Sequence, residues 1–255
     1  MPDCRRYGLL MSLLLEYQLL PYETEPLPHL SGPWLVFAPH PDDESFGMGG
    51  SIAKAVAMGI AVDLIVVTDG ALGGTGSNLV ERRQQEVRAA AQVLGLHSVQ
   101  FLGEPDRGLK TDDSLALQLA AIITQHKPAA VFFPGVLELH PDHRSTALLV
   151  WRSLQLIGAQ APQAIAYEIT GQCPANCLVD ISIAMAIKQQ AMECYVSQLG
   201  EKHYQAVVCA LNLLRTLTLP AGVQWAEAFY RYGQADLALS LQEWITQRMA
   251  AMLRV

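Results

Sequence analysis

From residue 34 onwards, short apolar runs alternate with longer stretches that are apolar on one side only. Trp34-Leu-Val-Phe37 and Val62-Asp-Leu-Ile-Val-Val67 are apolar, β-branched or aromatic, as parallel strands covered on both faces are. Between them, Ser51 to Met58 reads as a helix stopped by Gly59. Leu79 to Leu94, rich in Glu, Gln, Arg and Ala and closed by Gly95, predicts a second helix. Val99-Gln-Phe-Leu102 reads as a third strand, Ser114 to His126 as a third helix and Ala130-Val-Phe-Phe133 as a fourth strand. A helix over Arg144 to Leu156, strands near Ile165-Glu168 and Leu178-Ile181, a helix around Ala184-Val196 and further helix towards the carboxy terminus complete the pattern. The β-α-β-α order predicts an α/β fold: a Rossmann-like, mostly parallel sheet with helices on both faces and extra helices at both termini. With no internal repeat, low-complexity tract or linker, 1–255 reads as one domain. Residues 1–33 are an amino-terminal extension, 34–183 the core and 184–255 a helical carboxy-terminal part.

Two segments sit outside that alternation. Leu9, Leu10, Leu13, Leu14, Tyr17 and Leu20 recur at helical spacing, which predicts a packed amphipathic helix over residues 8–20, with membrane-surface contact as the second reading. Glu16 interrupts the run, no small-residue cleavage site follows, and the run is shorter than the ~20 apolar residues a bilayer span needs. The loop Thr68 to Asn78 holds Gly70, Gly73, Gly74 and Gly76, and reads as a mobile cover for a site at the carboxyl ends of the strands.

Composition narrows the function. Of 255 residues 51% are hydrophobic and 16% charged, enough for a large buried core, and Lys+Arg 17 against Asp+Glu 24 leaves a net charge of −7, a poor match for nucleic-acid phosphates. The 5 cysteines are scattered and odd in number, which predicts reduced thiols in the cytoplasm. Cys173-Pro-Ala-Asn-Cys177 reads as two buried small side chains rather than a redox or metal site.

The chemistry lies in two strings. His40-Pro-Asp-Asp-Glu44 follows the first predicted strand and His140-Pro-Asp-His143 follows the fourth, so both fall at the carboxyl edge of the sheet, where open α/β folds place their ligands. Together they offer three imidazoles and several carboxylates, a donor set that suits zinc, with iron(II) as the other ion it would serve. Asp42 and Asp43 are adjacent and point in different directions, so one can bind metal while the other faces the open site as a base. If the following helix takes in His143, one of His140 and His143 can bind metal while the other hydrogen-bonds developing negative charge. The plain alternative is turn chemistry, with Asp42 or Asp43 capping one helix and Asp142 the next. A dinucleotide site is disfavoured because Gly47-Met-Gly-Gly-Ser-Ile52 puts Ile52 where a third glycine belongs.

Four motifs then resemble the PIG-L/LmbE-like deacetylases: Ala38-Pro-His-Pro-Asp-Asp-Glu44 with Gly47-Met-Gly-Gly-Ser-Ile-Ala53, Arg83-Gln-Gln-Glu86 with Ala90-Ala-Gln-Val-Leu-Gly95, Phe101-Leu-Gly-Glu-Pro-Asp-Arg-Gly-Leu109, and His140-Pro-Asp-His-Arg144. The resemblance covers about residues 34–150, with a weaker echo at Lys188 to Gln198 and Ala226-Glu-Ala-Phe229. It implies removal of an N-acetyl group from an N-acetylglucosamine-containing conjugate. It also implies His40, Asp43 and His143 as zinc ligands, Asp42 as general base and His140 as the oxyanion-stabilising residue. Glu44, Arg83 and Arg107 are the implied substrate contacts. Pro39 stands where the family prefers Ala or Gly, which restricts Ala38 to extended geometry and removes no ligand.

The expected reaction is amide hydrolysis, with His140 protonated and either Asp42 or His140 returning a proton to the leaving amine. Hydrolysis of another amide or an ester, and a non-catalytic sugar-binding module, are the competing readings. Family members act on glucosaminyl-inositol, glucosaminyl-malate, chitobiose, lipid-linked and glycopeptide sugars. The apolar helix over 8–20 and the segment Leu211 to Leu219 point to core packing first, then to a hydrophobic aglycone or the contact of a homo-oligomer.

Overall fold

The computed structural model describes residues 20–27, 32–75, 77–200 and 203–253. The helix expected over residues 8–20 lies, but for Leu20, outside the described residues, as does Gly76. Seven strands form one sheet: β1 (Trp34–Ala38), β2 (Val62–Thr68), β3 (Ser98–Glu104), β4 (Ala130–Pro134), β5 (Gln163–Tyr167), β6 (Cys177–Asp180) and β7 (Ala226–Tyr232). Their order across the sheet is β3-β2-β1-β4-β5-β7-β6. The first five are parallel, and β7 lies antiparallel to both β5 and β6.

Side chains alternate along the central strands and build one core on each face. Trp34, Val36, Ala38, Leu64, Val66 and Phe132 point to the side covered by α1 (Asp43–Ala57), α2 (Leu79–Leu94) and α5 (Met185–Glu193). Leu35, Phe37, Ile65, Val67, Val131 and Phe133 point to the side covered by α3 (Asp113–His126), α4 (Pro141–Ile157) and α9 (Leu241–Leu253). The period of two in a sheet with both faces covered makes each strand read as a continuous apolar run. Three short helices, α6 (Val196–Leu199), α7 (Tyr204–Leu214) and α8 (Gln234–Leu237), complete the chain.

Two elements depart from the sequence reading. The first helix begins at Asp43, not Ser51, with a kink at Met48 (φ −141°, ψ 20°). Its glycines lower helix propensity and hide the first turns, but the packing requires them. A Cβ on Gly47 would lie 2.4 Å from the Tyr167 ring. The second departure is β7, which occupies part of the stretch expected to be helical. Ala-Glu-Ala-Phe-Tyr-Arg-Tyr is rich in aromatic strand formers, and Glu227, fully buried in its middle, breaks the apolar run that would have announced it. The carboxy-terminal part is therefore helices around an inserted strand.

Candidate metal centre and active site

β1 and β4 are neighbours in the sheet, with β2 and β3 to one side and β5 to the other, so the connections reverse direction between them. That crevice is the topological switch point of an open parallel sheet. His40-Pro-Asp-Asp-Glu44 leaves the end of β1 and runs into α1, while His140-Pro-Asp-His143 forms the start of α4. A cavity of about 480 Å³ opens there, lined by His40, Asp42, Asp43, Arg107, His140 and His143 among others.

The backbone aims these side chains. Asp42 sits at the N-cap of α1 with φ 138°, a strained position for a residue with a Cβ, and its side chain makes no capping bond. The Arg83 guanidinium holds it instead, donating to Asp42 Oδ2 at 3.1 Å. On α4 the N-cap is His140, with Pro141 opening the helix and His143 in its first turn. His140 Nδ1 accepts from the Asp142 backbone N–H at 3.2 Å. That contact fits the tautomer that carries its hydrogen on Nε2. Burial together with the neighbouring His40 and His143 charges pushes its pKa down. Neither Asp42 nor Asp142 caps its helix, while Asp43 Oδ2 makes a local turn bond by accepting from the His40 N–H at 2.8 Å and the His140 side chain itself caps α4.

Three of the expected ligands converge. Asp43 Oδ2 lies 3.0 Å from His40 Nδ1 and 3.3 Å from His143 Nε2. Donors bound tetrahedrally at about 2.0 to 2.2 Å stand roughly 3.3 to 3.6 Å apart, a spacing the Asp43–His143 pair has and the closer Asp43–His40 pair does not. His40, His140 and His143 together also offer ligand atoms within 4.8 Å of one another, as do His40, Asp106, His140 and Asp142. Charge supports a cation here. Burial opposes ionisation of His40, yet hydrogen bonds with Asp106, Asp142 and Asp43 raise its pKa well above the usual value. Burial likewise opposes protonation of His143, but Asp43 and Glu138 raise it to about 9. The carboxylates that hold those protons would hold a divalent ion in their place. Asp42 behaves oppositely, with burial raising its pKa to about 7 against the pull of Arg83.

Three carboxylates of this site escaped the sequence reading. Asp142 Oδ2 accepts from the Arg107 backbone N–H at 2.7 Å and meets His40 Nε2 at 3.2 Å. Asp106 lies 3.5 Å from His40 Nε2. Glu138 is buried with Oε2 3.5 Å from His143 Nδ1, and accepts from the Ile169 and Thr170 backbone N–H groups. The only signal was the place of Asp142 within the second histidine string, of Glu138 just before it and of Asp106 in the Phe101–Leu109 motif. A carboxylate behind a ligating imidazole fixes its tautomer, so Glu138→Gln is expected to weaken metal binding about 10- to 100-fold, read by competition with a chelator.

The implied substrate contacts divide. Arg107, with φ 56°, lines the cavity. Arg83 also lines it and is only 2% exposed, but its terminal nitrogens already donate to Gly70 O, Pro41 O and Asp42. Glu44 is a correction, because it is fully buried beneath the site and takes hydrogen bonds from Tyr195 and Ser45, so it does not meet the sugar. The glycine loop after β2 is tied down, not loose. Arg83 and Gln198 donate to Gly70 O and Gly73 O, and the Leu72 N–H donates to Asp106. A Cβ on Gly73 would lie 2.2 Å from an Arg83 nitrogen, so the loop closes round the guanidinium only as glycine. Pro39 costs the site nothing, since its carbonyl accepts from both the N–H and the hydroxyl of Thr68.

Comparison with known proteins agrees with this geometry. Residues 35–154 match the family described as PIG-L, GlcNAc-PI de-N-acetylase. The chain is 30% identical over 189 residues to the diacetylchitobiose deacetylase of Thermococcus kodakarensis, covering 66% of this chain and 70% of that one. A conserved protein of Thermus thermophilus superposes with a TM-score of 0.69 and 32% identity over 77% of this chain and 93% of its own. The N,N'-diacetylchitobiose deacetylase of Pyrococcus horikoshii shares the fold, with a TM-score of 0.72 and 24% identity over 89% of this chain and 90% of its own.

Proposed function

The chain belongs to the PIG-L family, and from that premise we propose that it is a zinc-dependent hydrolase removing the N-acetyl group from an N-acetylglucosamine-containing conjugate. The observation that carries this reading is Asp42, a buried carboxylate in the cavity beside the His40, Asp43 and His143 donors, with no capping bond to explain it. His40, Asp43 and His143 would hold a divalent ion, which would supply Lewis acidity and lower the pKa of an attacking water towards ~7. Asp42 takes the proton of the attacking water. Arg83 fixes the carboxylate while it does so, leaving its other oxygen for that proton. His140 donates its Nε2 hydrogen to the oxyanion of the tetrahedral intermediate, as a neutral imidazole can. Such an imidazole is a poor acid, so Asp42 rather than His140 returns the proton to the leaving amine. A role in the cytoplasm belongs to the same proposal, supported by the unpaired thiols of Cys173 and Cys177, both buried. No helix among the described residues is long and apolar enough to cross a membrane.

Acetate release tests the reading. The zinc-loaded protein is expected to free acetate from N-acetylglucosamine conjugates, to stop on chelation and to recover on adding zinc back. Metal bound without acetate release would favour hydrolysis of another amide or an ester, and recovery with iron(II) but not zinc would change the ion.

A further inference from the structure

The floor of the cavity is ionic, and two neutral polar side chains of its walls have every hydrogen placed. Thr170, exposed on the loop after β5, and Gln198 of α6 both line the cavity. The Thr170 hydroxyl donates to Glu138 Oε2 at 2.5 Å, and the same carboxylate accepts from the Ile169 N–H at 2.6 Å. A hydroxyl has one hydrogen, so the Thr170 oxygen has only lone pairs left. Gln198 Nε2 donates to Gly73 O at 2.8 Å and to Ser197 Oγ at 3.1 Å. A carbonyl oxygen can only accept, which fixes the way the amide is turned. The Ser197 hydroxyl gives its own hydrogen to Glu86 Oε2 at 2.6 Å, so it too accepts from the amide. Both amide hydrogens are thereby in use, and Gln198 keeps only the lone pairs of Oε1.

An acceptor with no hydrogen to give cannot serve a carbonyl, an ether or a phosphate oxygen. It fits a group that brings its own hydrogen, as the hydroxyls of a sugar do. The two acceptors also flank the proposed metal ligands. Gln198 is bonded to the loop after β2 and Thr170 follows β5, and those strands lie on opposite sides of the β1–β4 pair. Glu138 alone separates Thr170 from the proposed ligand His143, with its Oε2 3.5 Å from His143 Nδ1. We infer that Thr170 and Gln198 are specificity-determining residues, each accepting a hydrogen bond from a different free hydroxyl of the amino sugar. The inference rests on the deacetylase reading and adds a requirement to it, that the substrate's hydroxyls at those two positions be neither capped nor missing. Arg107, exposed at the same cavity, is the converse, since a guanidinium only donates and suits oxygens that carry no hydrogen.

The methyl glycoside of N-acetylglucosamine, and the three analogues in which one sugar hydroxyl at a time is replaced by fluorine, test it with the zinc-loaded protein. Fluorine is close to a hydroxyl in size and brings no hydrogen. Two of the analogues are expected to lose about 3- to 10-fold in kcat/KM relative to the parent, the worth of one net hydrogen bond each. Thr170→Val keeps the side chain's shape without its oxygen and is expected to erase one of those two ratios, and Gln198→Leu the other. A change that merely loosens the glycine loop or the Glu138 carboxylate lowers all four substrates alike and leaves the ratios standing. The ratios are also independent of how much of the protein holds zinc. Analogues hydrolysed as fast as the parent, or ratios that survive in both variants, would overturn the assignment, while acetate released from the parent keeps the deacetylase reading. A ratio that survives in one variant takes that residue out. No acetate from the parent or any analogue would remove the deacetylase reading and the assignment together.

Discussion

Asp42→Asn is expected to lower kcat by about 10² to 10⁴-fold while the protein keeps its metal, because the substitution removes a general base and little else. The side chain is buried, so an amide of the same shape stays in place. Its oxygen can still accept from Arg83, the one side-chain donor that holds Asp42. What is lost is the ability to take a proton and give it back. KM should change little, since the group acts in the transition state and not in ground-state binding. Asp43→Asn differs in kind. Asp43 Oδ2 faces His40 and His143 at once, so its loss is expected to remove metal and turnover together. Metal content measured beside acetate release separates the two variants, and normal turnover in Asp42→Asn would take Asp42 out of the reaction.

The second large effect lies behind the site. Glu227 and Lys188 are fully buried, and Lys188 Nζ donates to Glu227 Oε1 at 2.6 Å. The same carboxylate accepts from the backbone N–H groups of Gly50 at 2.9 Å and Ser51 at 2.8 Å. Those donors follow the kink at Met48, where α1 has lost its own hydrogen-bond ladder, so β7 caps the second half of the helix from the side. Lys188→Met would leave a buried carboxylate without its cation, at a cost of roughly 3 to 5 kcal/mol. Glu227→Leu would strand the ammonium and both N–H groups, and is expected to cost at least as much. The double variant should recover part of the loss and not all, since the two N–H groups still lack an acceptor, at about 1 to 3 kcal/mol each. Denaturant unfolding of the four proteins gives the cycle, and a Glu227→Leu protein within about 1 kcal/mol of wild type would refute the capping role.

Local patterns carried most of the fold. β1 to β4 and α2 were legible because each is apolar throughout or strongly amphipathic, and Gly95 closes α2 in the left-handed conformation expected of it. What stayed hidden depends on partners distant in sequence. β7 carries a buried Glu that makes sense only beside Lys188 and α1, and the first turns of α1 carry glycines that make sense only against Tyr167, Lys188 and Ile181. The site follows the same rule. His40, Asp42, Asp43, His140 and His143 were readable because they share two short strings. Asp106 and Glu138 were not, since a carboxylate in a loop or a turn looks the same whether or not an imidazole stands behind it, and Asp142, though inside the second string, reads equally well as an ordinary first-turn acid of α4. Glu44 failed in the opposite direction, because adjacency to Asp43 says nothing about which side of a helix start a side chain takes.

The place of β7 also sets an order on how the chain can assemble. The strands that carry the two histidine strings are complete by residue 134, but the outer edge of β5 stays unpaired until residues 226–232 have been synthesised and slotted in between β5 and β6. Until then a nascent chain offers an open, apolar strand edge to its neighbours, the feature that seeds aggregation. Lys188 has no counter-charge over the same interval. Chains ending before β7 should therefore collect as insoluble material even though every proposed metal ligand is already present.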